Sequence, residues 1–167
     1  SLEVTEKINR EKWGKFVYTH PNGNIFQTPE MAEIYKRAKN HEPISLAVTN
    51  NNGEILALML GVVIRYLDGL FGPLSSISVI QGGPLYTNKP ESILALELLL
   101  KEYDRFARKK ALFTEIRNMW DLFEIKTLLN KLGYKFEEHL NFLINLNRPK
   151  EEIWRSIHKS RRKGINR

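Results

Sequence analysis

Two apolar runs, Ile44 to Thr49 and Ile55 to Tyr66, flank the tetrapeptide Asn50-Asn51-Asn52-Gly53. Asn-Gly pairs provide the backbone conformations that a tight hairpin turn needs, and the runs on either side are β-forming, so this stretch predicts two antiparallel strands joined directly. Any fold assigned to the chain has to contain that hairpin.

Strand and helix signals alternate around it. Leu2 to Thr5 opens a strand. Asn9 caps a helix through His20 with Trp13, Phe16 and Val17 on one side, and Pro21-Asn22-Gly23 ends it. Thr28 at the N-cap, Pro29 at the first helical position and Glu30 in the first turn start a second helix, whose apolar face is Met31, Ile34, Tyr35 and Ala38. Beyond the hairpin, Leu70 to Ile80 is strand material broken by Gly72-Pro73, and it runs into the turn Gly82-Gly83-Pro84. Pro90 opens the longest helix, through Lys110. Its stripe of Ile93, Leu96, Leu99, Leu100, Tyr103, Phe106 and Ala107 needs a sheet to cover it. Leu112 to Arg117 reads as a strand, Asp121 to Leu132 as a helix ended by Gly133, and Tyr134 to Leu146 as a long strand with apolar residues at even positions. The order predicts an α/β (α+β) fold with a mixed central sheet and helices on both faces.

At 167 residues and 42% hydrophobic, the chain has material for one ordinary core. It has no cysteine, which excludes thiol catalysis, disulfides and cysteine-ligated zinc and fits a reducing, cytoplasmic setting. Four widely separated histidines match no metal-ligand spacing, so no metal is expected. The longest apolar run, Ile55 to Ile64, is about half the length of a bilayer crossing.

The net charge of +7 is concentrated at the end. Residues 150–167 hold Lys150, Arg155, Lys159, Arg161, Arg162, Lys163 and Arg167 against only Glu151 and Glu152. Read as one helix, the segment puts Ile153, Ile157, Ser160 and Gly164 on one stripe and Arg155, Lys159 and Arg162 opposite. That gives a docking side and a phosphate-facing side, or else a solvated charged helix. The expected division is one domain over residues 1–148 and a basic helix over 149–167 leading toward a further domain.

The element order resembles the GNAT acyltransferase fold. Phe26 to Lys36 (FQTPEMAEIYK), the hairpin ISLAVTNNNGEILALMLGVVIR, QGGPLY (Gln81 to Tyr86) and HKSRRKGINR after a strand-helix step resemble, more narrowly, the N-terminal half of the Fem family. These are aminoacyl-tRNA-dependent transferases that build peptidoglycan interpeptide bridges. The resemblance implies a transferase that joins an activated acyl or aminoacyl group to an amine, with tRNA and a phosphorylated precursor as partners. It implies substrate contacts at Lys36, Tyr86 and Arg117, with Lys36 on the precursor phosphates. It also implies that the central strands splay near Glu115 and Arg117 to open the acyl-transfer cleft. Where the family often has Arg-Ile-Asp/Glu-Pro, this chain has Thr114-Glu115-Ile116-Arg117-Asn118, which points to a different acceptor.

The residues also allow other readings. Acetyl-CoA-dependent GNAT proteins place the pyrophosphate on backbone N–H groups at a helix N-terminus after a Gly-rich turn. The turn from Gln81 to Pro90 lacks that spacing, and its two prolines remove two donors, so acetyl-CoA is not expected and no cofactor is assigned. Glu115 and Arg117 share a strand face, either as a lateral ion pair or both toward a cleft. Glu138 interrupts the even register of its strand: either a bulge turns it outward or it is an inward general base. Glu115 and Glu138 are thus the catalytic candidates, and Arg155, Lys159 and Arg162 the phosphate-binding ones. Two competing functions remain: a CoA-dependent N-acetyltransferase, and a nucleic-acid-binding module acting through the basic helix.

Overall fold

The computed structural model describes residues 1–67, 73–138 and 144–165. It divides into two compact units, Ser1–Lys135 and Phe136–Arg167. The segment 136–148 thus falls in the second unit, whereas the sequence reading groups it with the first.

The first unit is built on a mixed sheet. The hairpin forms as β2 (His41–Thr49) and β3 (Ile55–Arg65), paired antiparallel from His41↔Ile64 to Thr49↔Ile55. The Asn50 side chain organises the turn by accepting from the backbone N–H of both Asn52 and Glu54. β1 (Glu3–Thr5) adds to β2, β4 (Ser76–Gln81) lies antiparallel to β3, and β6 (Thr114–Arg117) lies parallel to β4. A strand not foreseen in the sequence, β5 (Leu85–Tyr86), also pairs with β3, at Ala57↔Tyr86 and Leu58↔Leu85.

Helices cover both faces because β2 and β3 alternate their apolar residues. Leu46, Val48, Leu56 and Met59 pack with Leu96, Leu99, Leu100 and Tyr103 of α3 (Ser92–Ala107) and Leu129 of α4 (Lys126–Lys131). Ala47, Leu58 and Leu60 face the other way, against Trp13 and Val17 of α1 (Arg10–Thr19) and Ala32 of α2 (Pro29–Arg37). Full burial of such side chains stabilises by about 1.5–3 kcal/mol each. The caps are those the sequence predicts: Asn9 accepts from the Lys12 N–H and Thr28 from the Met31 N–H.

Several elements are shorter or differently built than predicted. Leu70 to Ile80 contributes only the part of β4 from Ser76, after a 3-10 turn at Pro73–Ser75; residues 68–72 lie outside the described residues. Pro90 stands in the turn before α3. The helix predicted from Asp121 is a 3-10 turn at Phe123–Ile125 followed by α4. No described residue of the strand predicted over Tyr134 to Leu146 is in a sheet; residues 139–143, His139 and Leu140 among them, lie outside the description. Alternation alone does not make a strand where no neighbouring strand takes up its backbone groups.

In the second unit the predicted single basic helix is two, α5 (Lys150–Ser156) and α6 (Lys159–Ile165). Ile157 is extended at φ −74°, ψ 130°, and the His158 ring accepts from the Ser160 N–H, so that a new helix begins there. The predicted stripe through Ile153, Ile157, Ser160 and Gly164 is therefore broken. No described helix is long and apolar enough to cross a membrane.

Candidate functional site

The backbone at the carboxyl end of β4 is held differently on its two sides. The β4–β6 ladder continues to Gln81↔Arg117, and the Gly82 N–H then donates to the Arg117 carbonyl at 2.9 Å. The splay that the GNAT resemblance implies between these strands is absent here, because every register position from Ser78 to Gln81 is paired. The β3–β4 ladder instead stops at Val62↔Val79. In the gap stands Gln27, fully buried. Its Oε1 accepts from the Leu60 N–H at 2.7 Å, and its Nε2 donates to the carbonyls of Leu60 (3.0 Å) and Gln81 (2.9 Å). A side-chain amide thus serves backbone groups that no strand reaches. Trp13 Nε1 donates to the Gln27 carbonyl at 2.7 Å and fixes the residue from the α1 side.

The chain leaves β4 through Gly82 (φ +79°) and Gly83 (φ +67°). A Cβ at Gly82 would lie 2.3 Å from Asn24 Oδ1, and one at Gly83 would lie 2.4 Å from Asn118 Oδ1, so both the backbone and the space demand glycine. Asn24, in the α1–α2 connection, donates from Nδ2 to the Gly82 carbonyl at 3.2 Å.

A cleft of about 460 Å³ opens beside this turn. Phe16, Thr19 and His20 of α1 and its C-cap form one wall, with Pro21 and Asn22 beyond them. Pro84, Tyr86, Thr87 and Asn88 form the floor and mouth, and Glu124 the far side. His20 ties the wall to the floor: Nδ1 accepts from the Asn22 N–H at 3.0 Å, so the ring proton is on Nε2, which donates to the Tyr86 carbonyl at 2.7 Å. Tyr86 and Glu124 line this cleft together. Burial raises the Tyr86 phenol above its ordinary value, and the Glu124 charge raises it further, which keeps the hydroxyl a donor.

Of the residues singled out from sequence, only Tyr86 lines this cleft. Glu115 and Arg117 bind each other through two 3.0 Å hydrogen bonds on the edge strand, 41% and 48% exposed, the lateral pair rather than a cleft pair. Lys36 is ion-paired with Glu33 one turn earlier, at 2.8 Å on the exposed face of α2. Glu138 is exposed on non-sheet backbone, so neither the bulge nor the inward carboxylate is formed. Arg155 lies on α5, Lys159 and Arg162 on α6; the first two are exposed and Arg162 is half-buried. No group of three metal-ligating side chains occurs among the described residues. His20 and Glu124 carry no local sequence signal: they come to one cleft only through the fold.

No protein-family model matches the chain. No curated protein matches its sequence. Solved structures do match in fold. The aminoglycoside 6'-N-acetyltransferase AAC(6')-Ih from Acinetobacter baumannii superposes with a TM-score of 0.59 at 12% identity, over 88% of this chain and all of that one. A putative acetyl transferase from Pyrococcus furiosus gives 0.58 at 14% identity, over 87% of this chain and all of that one. AAC(6')-Iy, solved with the bisubstrate analogue CoA-S-monomethyl-acetylneamine, gives 0.56 at 12% identity, over 87% and 97%. Together with the mixed sheet, the parallel β4–β6 pair and the α3 crossover between them, these likenesses make the fold that of the GNAT acetyltransferases.

Proposed function

We propose that this protein is an N-acyltransferase that takes the acyl group of a CoA thioester and joins it to an amine. The observation that carries the reading is the fold itself, matched nearly end to end to acetyltransferases, with a cleft beside the carboxyl end of β4. The amine nitrogen attacks the thioester carbonyl, the C–N bond forms, the C–S bond breaks, and the thiolate leaves with the proton that the nitrogen gives up. No covalent enzyme intermediate is required, so the protein's share is to hold amine and thioester in attacking geometry. Tyr86 is the one substrate-binding residue of the sequence reading that the cleft supports.

A second reading has observations of its own. Pro84 and Pro90 lie in the connection to α3, β5 interrupts it, and β4 and β6 stay paired to their ends. This backbone supports a donor other than CoA, such as the aminoacyl ester of a tRNA used by Fem-type transferases, with Arg155, Lys159 and Arg162 taking its phosphates. Calorimetric titration of the chain with acetyl-CoA, paired with an assay of thiol release in the presence of primary amines, separates the two. Micromolar binding and amine-dependent release are expected. Absence of both, with deacylation of aminoacyl-tRNA by the same amines, would replace the CoA donor with the ester. tRNA binding without any transfer would leave a nucleic-acid-binding module.

A further inference from the structure

We infer that the cleft at His20, Tyr86 and Glu124 is a binding site for a primary alkylammonium group, with the Glu124 carboxylate as its counter-charge. The inference rests on the N-acyltransferase reading only in naming the bound amine as the acceptor.

The argument starts from charge. The chain has 26 lysines and arginines against 19 acids, yet none of the described ones lines this cleft. Its one ionised side chain is Glu124, since the two hydrogen bonds of His20 leave a single proton on that ring. A carboxylate in a concave site of this size attracts a cation and repels an anion. The lone pairs of that carboxylate suit the three N–H donors of an ammonium. The carboxamides of Asn22 and Asn88 make no hydrogen bond with other described residues and stand on the same cleft. The remaining lining suits a hydrocarbon stem: the Phe16 ring, 5.6 Å from the His20 ring, and the prolines at 21 and 84.

The site is also preorganised. Tyr86 is held by β5 pairing to Ala57, and its carbonyl is held by His20. The cation would find its counter-charge in place, without ordering a loop. A phosphorylated precursor, by contrast, would meet Glu124 and no base among the described lining residues.

The probe is cadaverine, titrated into the whole chain at low salt and followed by NMR shifts of the backbone amides, with 1-pentanol and glutarate as the uncharged and anionic controls. Cadaverine is expected to shift His20, Tyr86 and Asn88 saturably, with binding weakened by high salt and by roughly tenfold in Glu124→Gln. Tyr86→Phe should bind within about threefold of the parent, because the carboxylate stays. Glu124 is exposed, so its variant keeps the fold, and an unchanged melt verifies it. Binding of glutarate as tight as that of cadaverine, or cadaverine binding unchanged in Glu124→Gln, overturns the inference. If cadaverine binds through Glu124 and no acyl transfer to any amine is found, only the transferase reading fails. If transfer occurs with the amine KM unaffected by Glu124→Gln, only the ammonium site fails.

Discussion

β4 has two neighbours, and it is bound to them by different means. Toward β6 its ladder is unbroken backbone, ending one hydrogen bond past the strand. Toward β3 the ladder ends early and the amide of Gln27 replaces it, until β5 takes over at Leu58. The difference shows where a sheet of this kind can yield. Separating β4 from β6 would break a row of main-chain bonds at once, whereas the other seam depends at one point on a single side chain.

Four substitutions test that contrast. Gln27→Ala should have the largest effect, because it strips partners from the buried Leu60 N–H and carbonyl and from the part-buried Gln81 carbonyl; about 4 kcal/mol is expected in urea unfolding. A loss below about 1 kcal/mol would mean that water replaces the amide and the seam does not depend on it. Gly61→Ala comes next. Its Cβ would fall 1.8 Å from the Tyr103 hydroxyl, on a ring that is itself fully buried. Overpacking of about 3 kcal/mol should appear in the thermal melt. Tyr103→Phe removes the 2.7 Å bond to Ser78 of β4 and orphans a buried hydroxyl, for about 1.5 kcal/mol; hydrogen exchange at the β4 amides should quicken with it. Arg117→Ala, on the seam closed by backbone, should cost less than about 0.5 kcal/mol, since its partner Glu115 is half in solvent. A larger cost would show that side chains also hold the β6 side.

The sequence made legible whatever is decided locally. Asn9 and Thr28 announce their helices because a cap acts within three residues, and the Asn-rich turn fixes the hairpin because its side chains bond their own loop. The alternation misleads over the described residues 134–138 and 144–146 for the converse reason: period two reports a strand only if a neighbour accepts its hydrogen bonds. The break between α5 and α6 has no glycine or proline to mark it; a histidine side chain starts the second helix instead. Gln27 lies inside the motif from Phe26 to Lys36, but its role does not show there, because a polar residue after an Ile-Phe pair reads as surface until the gap in the ladder is known. Tyr86 was reached through a motif, whereas Glu124 and His20 are brought to it by β5, α1 and the turn after β6, contacts that no spacing encodes.

Asn24 and Gln27 hold the α1–α2 connection to Gly82, Leu60 and Gln81, while Pro21 and Asn22, which face the cleft, make none of those bonds. Asn22 is tied in only by its backbone, its carbonyl accepting from Asn24 and its N–H donating to His20, so the side chains at 21 and 22 are separate from those that hold the seam. A lineage can rewrite the identities at 21 and 22, and so change which molecule is admitted, while the seam beneath them keeps its register. Evolution of specificity at this wall is thus freed from the usual tax on folding.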